Sequence, residues 1–509
     1  VESERFWLAL YPMGQALLSD LSGIPGILLF SNYLELFLVP LAVITAYWFA
    51  GFLGLSHKAA GFSLLIQVLL YTMMIDESWP VGFWFFQNMA EDKVTAVFLL
   101  APVFFTFVFR FLQSSALNDI ALVFLCGVAL MLTHPVILFL SCAIAGGTAL
   151  LARLMKRTGW QEVLRLFILF VALMLPYAGI RLYDHPSQAP IPFDAESVMS
   201  SYQVERYVNV VSSIFYGLNP EVLKFINISP EASGFYSAFQ VFRLLPVALA
   251  LVAGFLALKK LKEGPLYWYI LTCVLLVAFA TVPYTGWILG YFISGRLISR
   301  ASWFSPLGFV GGLVILPMMG WLQTKFLTAK FRKASMNRGN KAEDVAKHLL
   351  SILAFVGIML VLIVLPRAPL YFQILDNNRQ LAQAGSYIDQ QTEGITPVIA
   401  LNYRDMQMLP GVSANSSLIS FREETDRHGQ NYFLSIDEIH ERISASNTIR
   451  SIEPDISYEE RCQLLKKFKI RFVLARSESA EFFAAEVNKC GMSAKNVFNT
   501  KDLVWLELH

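Results

Sequence analysis

Ten stretches of this chain are apolar over roughly the 20 residues that a helix needs to cross a bilayer, and no other feature limits its possible folds as strongly. They lie at 32–55, 59–75, 93–113, 117–132, 135–152, 163–183, 241–258, 265–284, 303–323 and 348–366. In hydrocarbon every backbone N–H and C=O must find its partner within the protein, so runs of this kind are helices. Composition agrees: 56% of the residues are hydrophobic and 15% are charged, against about 25% charged in soluble domains. The runs at 117–132 and 135–152 are short and meet at Thr133, His134 and Pro135. Proline lacks a donor and disturbs the turn before it, so this junction is either a broken span or a tight helical hairpin.

Lys and Arg collect on the cytoplasmic side of membrane proteins. One cluster holds Lys325, Lys330, Arg332, Lys333, Arg338, Lys341 and Lys347, a second holds Lys259, Lys260 and Lys262, and a third holds Arg153, Lys156 and Arg157. Two spans separate each neighbouring pair of clusters, so all three fit one side. The same parity places 77–92, 184–240, 285–302 and everything after 367 outside, and residues 1–31 as well. No signal peptide explains an external N-terminus. We therefore expect a further helix upstream of Val1, with this sequence truncated ahead of it. The net charge of +2 comes with no basic stripe bearing interleaved aromatics, which argues against nucleic acid as a partner.

After Pro366 the character changes. Charge density rises and short β runs appear at Pro397–Leu401, Ile470–Ala475 and Leu503–Leu508, with amphipathic helical stretches at 435–445 and 457–468 between them. Strands alternating with helices predict a small α/β layer domain. The expected organisation is a polytopic α-helical membrane domain over 1–366 and an extracytoplasmic soluble α/β domain over 367–509. Cys462 and Cys490 would pair if that domain faces an oxidising compartment. Asn227 and Asn415 each begin a glycosylation acceptor pattern, a signal that also arises by chance.

Several residues carry candidate chemistry. The outer loop Asp76–Lys93 has four carboxylates at membrane edges: Asp76, Glu77, Glu91 and Asp92. Paired carboxylates hold a divalent cation through oxygen or act as a general base; they also occur simply as solvated helix caps. Arg296 and Arg300 share one helical face by their spacing and sit externally, against the charge trend. The planar guanidinium suits a phosphate, while interfacial snorkelling beside Trp303 is the plainer reading. His134 is an ionisable group at membrane depth, and such groups are functional suspects, though a neutral histidine also caps freed carbonyls. Residues 5–23 are aromatic and amphipathic and fit the membrane interface.

The order of these features resembles membrane proteins of the GT-C type, which include polyprenyl-phosphate-sugar-dependent glycosyltransferases of bacteria and archaea. The matching features are the Tyr11-Pro12 segment before a long apolar helix and the outer loop ending Glu91-Asp92-Lys93. The Thr133-His134-Pro135 break, the arginines after Gly295 and a last span leading to an α/β domain with the strand at Phe468–Leu474 complete the likeness. It covers most of the chain. It implies a multi-pass protein of the cytoplasmic membrane and cell envelope, with a lipid-linked sugar as donor and membrane lipid as its setting. It further implies catalysis or metal binding (Mg or Mn) by Asp92 and Glu91, and a lipid phosphate held by Arg296, Arg300 and Lys93. A first catalytic acid would lie upstream of Val1. Two other classes stay open: a transporter or flippase, favoured by the break at His134, and a non-catalytic scaffold.

Overall fold

The computed structural model describes residues 10–73, 81–183, 251–281, 285, 300–301, 303–304, 306, 308–309, 312–313, 368–420, 436–451 and 457–509. The expected span at 348–366 lies outside them, as does most of 303–323, and 241–258 is described from 251 on, where it is helical. The chain forms two compact units. A helical unit holds residues 7–12 and 35–342, and a sheet unit holds 1–6, 13–34 and 343–509. Residues 13–34 thus belong with the sheet unit, although the boundary at 366 groups them with the membrane domain.

Helix α1 (Leu10–Ser22) buries none of its residues and exposes Leu10, Met13, Leu17, Leu18 and Leu21. Helix α2 (Gly26–Leu28) continues as a π-helical turn over Leu29–Tyr33, and α1 and this Gly26–Tyr33 segment are bent by 110° at the break between them. Gly23 sits at φ +65° between them, a conformation that costs glycine nothing. An exposed apolar helix ahead of a sharp bend suits the interfacial role expected of residues 5–23.

The helical unit contains α3 (Glu35–Phe52), α4 (His57–Met73), α5 (Val81–Gln87), and α6 (Asp92–Thr95), which runs through a π-helical turn at Ala96–Leu100 into α7 (Ala101–Ser114). Next come α8 (Leu117–Thr133), α9 (Pro135–Leu154), α10 (Trp160–Tyr183) and α11 (Pro265–Thr281). Among the described residues four helices are long and apolar enough to cross a membrane: Glu35–Phe52, Asp92–Ser114, Pro135–Leu154 and Trp160–Gly179. The chain is a multi-pass membrane protein. Its inner spans are Asp92–Ser114 and Pro135–Leu154, 67% and 61% buried; Glu35–Phe52 and Trp160–Gly179 are only 22% and 17% buried. The outer helices turn Phe37, Ile44, Phe167 and Leu175 outward, as a lipid-facing surface requires. Phe49, Phe104, Phe105, Phe109 and Tyr269 form the aromatic centre of the bundle.

His134 is the only residue between α8 and α9, and it is extended at φ −158° and ψ 98°. Its N–H donates to the Leu130 carbonyl, and its own carbonyl accepts from Ile137 and Leu138, so the break leaves the backbone paired. The two helices pack on each other and both pack on α10, with Gly127 of α8 against Leu173 of α10. The junction is a helical hairpin. Short connections of four, two and five residues at 53–56, 115–116 and 155–159 make neighbouring helices antiparallel. The start of α3, the start of α6 and the α8–α9 turn therefore share one end of the bundle. Arg153, Lys156, Arg157 and Lys259–Lys262 share the other, where Arg157 donates to the Lys262 carbonyl.

In the sheet unit, α12 (Ala368–Gln391) leads to β1 (Thr396–Ala400), α13 (Tyr403–Met408), β2 (Ser416–Leu418), α14 (Ile436–Arg450) and α15 (Tyr458–Lys467). β3 (Phe472–Arg476), α16 (Ser477–Lys489), β4 (Ala494–Asn499) and β5 (Leu503–Leu508) follow. The strand order is β2-β1-β3-β5-β4. β1 is parallel to β2 and β3, and β5 is antiparallel to β3 and β4. Alternation along the strands divides the core. Val398, Ala400, Phe472 and Leu474 face α12, Ile27 and Leu28, while Ile399, Val473 and Ala475 face α14, α15 and α16. Trp505 donates its indole N–H to the Ala384 carbonyl at 2.8 Å. Cys462 of α15 and Cys490 after α16 form a disulfide with Cα atoms 6.4 Å apart. Asn415 donates its amide to the carbonyls of Thr392 and Asp389, so this acceptor pattern is a structural turn; Asn227 lies outside the described residues.

Candidate active site at one end of the helical bundle

The charged residues of the bundle end are set by helix starts. Glu91 precedes α6 in an extended conformation, φ −70° and ψ 143°, and its carboxylate pairs with Lys93 at 2.6 Å. Asp92, the first residue of the helix, accepts from the backbone N–H of Lys93 at 2.7 Å. Lys93 lies 4.2 Å over the Trp84 ring, and Trp84 packs on Trp303 with centroids 5.6 Å apart. Tyr11 ties this loop down by donating to the Ala90 carbonyl at 3.0 Å and sharing a hydrogen bond with Thr95.

His134 is 3% exposed, and Arg300 lies 2.6 Å from its Nε2. A guanidinium only donates, so Nε2 is the acceptor in this contact. Arg300 also acts electrostatically on Lys93, as do Glu91 and Asp92. The two sequence-distant groups that suggested phosphate chemistry, Lys93 and Arg300, thus lie within electrostatic range of each other. Arg296 lies outside the described residues.

The structure adds an acid that sequence reasoning did not single out. Glu35 opens α3 and is 7% exposed. Its carboxylate accepts a hydrogen bond from the backbone of Met89 and feels the charge of Glu91. A buried carboxylate without compensation is costly, so its place beside the Ala90–Lys93 loop is a defined one. The available signal was an acid within the first turn of an apolar span, where ionisable residues are rare. The resemblance places a first catalytic acid upstream of Val1 and a second at Glu91 or Asp92, so it does not point to Glu35.

Glu91 and Asp92 do not by themselves make a divalent-cation site. Such a site needs several oxygen ligands around one point, yet Glu91 is paired to an ammonium and Asp92 accepts from a backbone N–H. Among the described residues no group of three or more His, Cys, Asp or Glu side chains is placed to hold a metal ion. Next to the charged cluster, an apolar cavity of about 60 Å³ is bounded by Phe98, Trp303, Phe304 and Tyr71.

Fold and site together define a multi-pass membrane protein with a partly buried cluster of acids and cations at one end of its bundle. No protein-family model matches the chain, and no curated protein does. Solved structures of the oligosaccharyltransferase of Archaeoglobus fulgidus overlay on most of it. The apo form gives a TM-score of 0.41 at 10% identity, covering 92% of this chain and 62% of that one. The form tethered to an acceptor peptide with the NVT sequon gives 0.43 at 11%, covering 90% and 59%. The complex with an inhibitory peptide and a dolichol-phosphate gives 0.35 at 11%, covering 91% and 59%. The chain thus spans about three fifths of the length of these structures. These three TM-scores are all below 0.5.

Proposed function

We propose that this protein is a GT-C-type glycosyltransferase that moves a sugar from a polyprenyl-phosphate donor on the outer face of the cytoplasmic membrane. One observation carries the reading: Glu35, Glu91, Lys93, His134 and Arg300 come together at a single end of a membrane bundle from four separate helix termini and a distant segment. The lipid tail of such a donor lies in hydrocarbon, and its phosphate sits at the membrane edge where Lys93 and Arg300 stand. Arg300 donates a planar fork to phosphate oxygens, with Arg296 as a second candidate. His134 holds Arg300 in place.

In the reaction the bond between the sugar's anomeric carbon and the phosphate oxygen breaks, and that oxygen keeps the electron pair. Lys93 and Arg300 stabilise the charge that develops on it. A new bond forms between the anomeric carbon and the acceptor hydroxyl, whose proton passes to a carboxylate. Glu35 is our choice for that base. Glu91 sets the position of Lys93, and Asp92 opens α6. The products are polyprenyl phosphate and the glycosylated acceptor.

The transport reading loses its main support, because the break at His134 is a hairpin turn with its backbone paired and lacks the unwound stretch that transporter sites use. The deciding experiment measures transfer of radiolabelled sugar from a polyprenyl-phosphate donor by the full-length protein in liposomes. Transfer by the wild type that collapses in Glu35→Gln and Arg300→Ala supports the proposal. A wild type that neither transfers nor binds the donor leaves a scaffold as the function.

A further inference from the structure

The sheet unit has a cleft of about 440 Å³ on the outer side of α12, within the range of roughly 300–1,000 Å³ typical of small-ligand sites. One wall is a stripe of polar side chains on α12: Arg379, Gln383, Ser386 and Gln390. Their spacing of four, three and four residues puts them on a single helical face, about 16 Å long. Tyr387 and Phe498 form another wall, stacked on each other with centroids 4.8 Å apart and planes 26° from parallel. Pro25 and Leu28 close the remaining side.

Three polar residues elsewhere on this helix, Asn378, Gln380 and Asp389, hold the unit together. Asn378 donates to Asn32. Gln380 binds Asp502 and Thr500, and Asp389 accepts from Ser413, Ala414 and Asn415. Arg379, Gln383, Ser386 and Gln390 take part in no such bond among the described residues. A solvated helix face would account for four unengaged polar groups. It would not account for their lying along a concave surface beside an aromatic pair.

We propose that this cleft binds an oligosaccharide. A pyranose ring offers an apolar C–H face that packs on an aromatic surface and a rim of hydroxyls. Those hydroxyls need both donors and acceptors. Gln383 and Gln390 each supply both, and Ser386 supplies a hydroxyl. The lining has no carboxylate, which removes cations from consideration, and its single cation is too little for a polyphosphate. Arg379 at one end of the stripe favours a sugar that carries a carboxylate. The assignment is independent of the transfer reaction, because it uses residues of the sheet unit alone.

The test is isothermal titration of the full-length protein in nanodiscs with tetragalacturonate, mannotetraose and an acidic octapeptide. Binding of tetragalacturonate is expected, weakened at least ten-fold in Gln383→Ala and in Gln390→Ala, with mannotetraose binding more weakly. Arg379→Gln should remove the preference for the acidic sugar while leaving mannotetraose unchanged. These are exposed positions, so circular dichroism and melting should match the wild type and separate lost binding from lost folding. No binding of either sugar at millimolar concentration, binding that ignores all three substitutions, or binding of the peptide alone would each overturn the proposal.

Discussion

Glu35 and Arg300 act on different parts of the proposed reaction, and their variants should separate accordingly. Glu35→Gln keeps the shape and the hydrogen bond from Met89 but removes the base. Its loss should fall on kcat, by about 10²–10⁴-fold, the usual contribution of a general base. Arg300→Ala removes a phosphate contact present before and during the reaction. It also leaves buried His134 without the donor now on its Nε2. Both effects raise the KM for the donor, and kcat/KM should drop by at least about ten-fold. Steady-state kinetics with varied donor distinguishes the two patterns; equal effects on kcat alone in both variants would sink the division of roles. Glu91, Asp92, Lys93, His134 and Arg300 were each legible as suspects because a charge at a membrane edge stands out. Their adjacency was not, since 166 positions separate His134 from Arg300 and no local pattern encodes that contact. Glu35 was hidden for another reason: one acid at the head of an apolar run reads as the cap of the span.

Among the elements, α12 carries the closest approach in the sheet unit. A Cβ at Gly385 would meet the Val412 carbonyl oxygen at 2.4 Å, and a backbone atom cannot rotate away. Replacing glycine by alanine in a helix ordinarily gains up to about 1 kcal/mol. Here overpacking of about 1–3 kcal/mol opposes it. Gly385→Ala should therefore lower the melting temperature of the full-length protein, whereas the usual propensity effect raises it; a higher melting temperature would refute the contact. The strands show where sequence patterns suffice. β1, β3 and β5 are runs of Val, Ile, Leu and Phe buried along most of their length, and their expected positions agree with the structure to within two residues. β2 has only three residues, and β4 reads Ala-Lys-Asn-Val-Phe-Asn with a mostly exposed surface. Both lie at the sheet edges. They are strands because a neighbour offers hydrogen bonds, and that neighbour is not written in the segment itself.

At the scale of the molecule, the open matter is which side of the membrane each end of the bundle faces. Two independent physical arguments converge. The bundle end opposite the site carries Arg153, Lys156, Arg157, Lys259, Lys260 and Lys262, which the charge rule places in the cytoplasm. By that rule Glu35, Lys93 and Arg300 are predicted to lie outside. Separately, the sheet unit holds the Cys462–Cys490 disulfide, and such bonds persist in oxidising compartments outside the cytoplasm. The 28-residue separation closes a loop whose crosslink contributes about 3.6 kcal/mol by the chain-entropy account. The prediction is then twofold. In intact cells the protein should resist an alkylating mass tag at Cys462 and Cys490 until a reductant is added, and Ser386→Cys should react with a membrane-impermeant maleimide. Cysteines placed at Lys156 and Lys260 should stay protected from that reagent until the membrane is permeabilised. Free thiols at Cys462 and Cys490 before reduction would overturn the compartment predicted for the sheet unit, and labelling of Lys156→Cys in intact cells would reverse the bundle. The site would then face the cytoplasm, and the outer-leaflet donor would have to be given up.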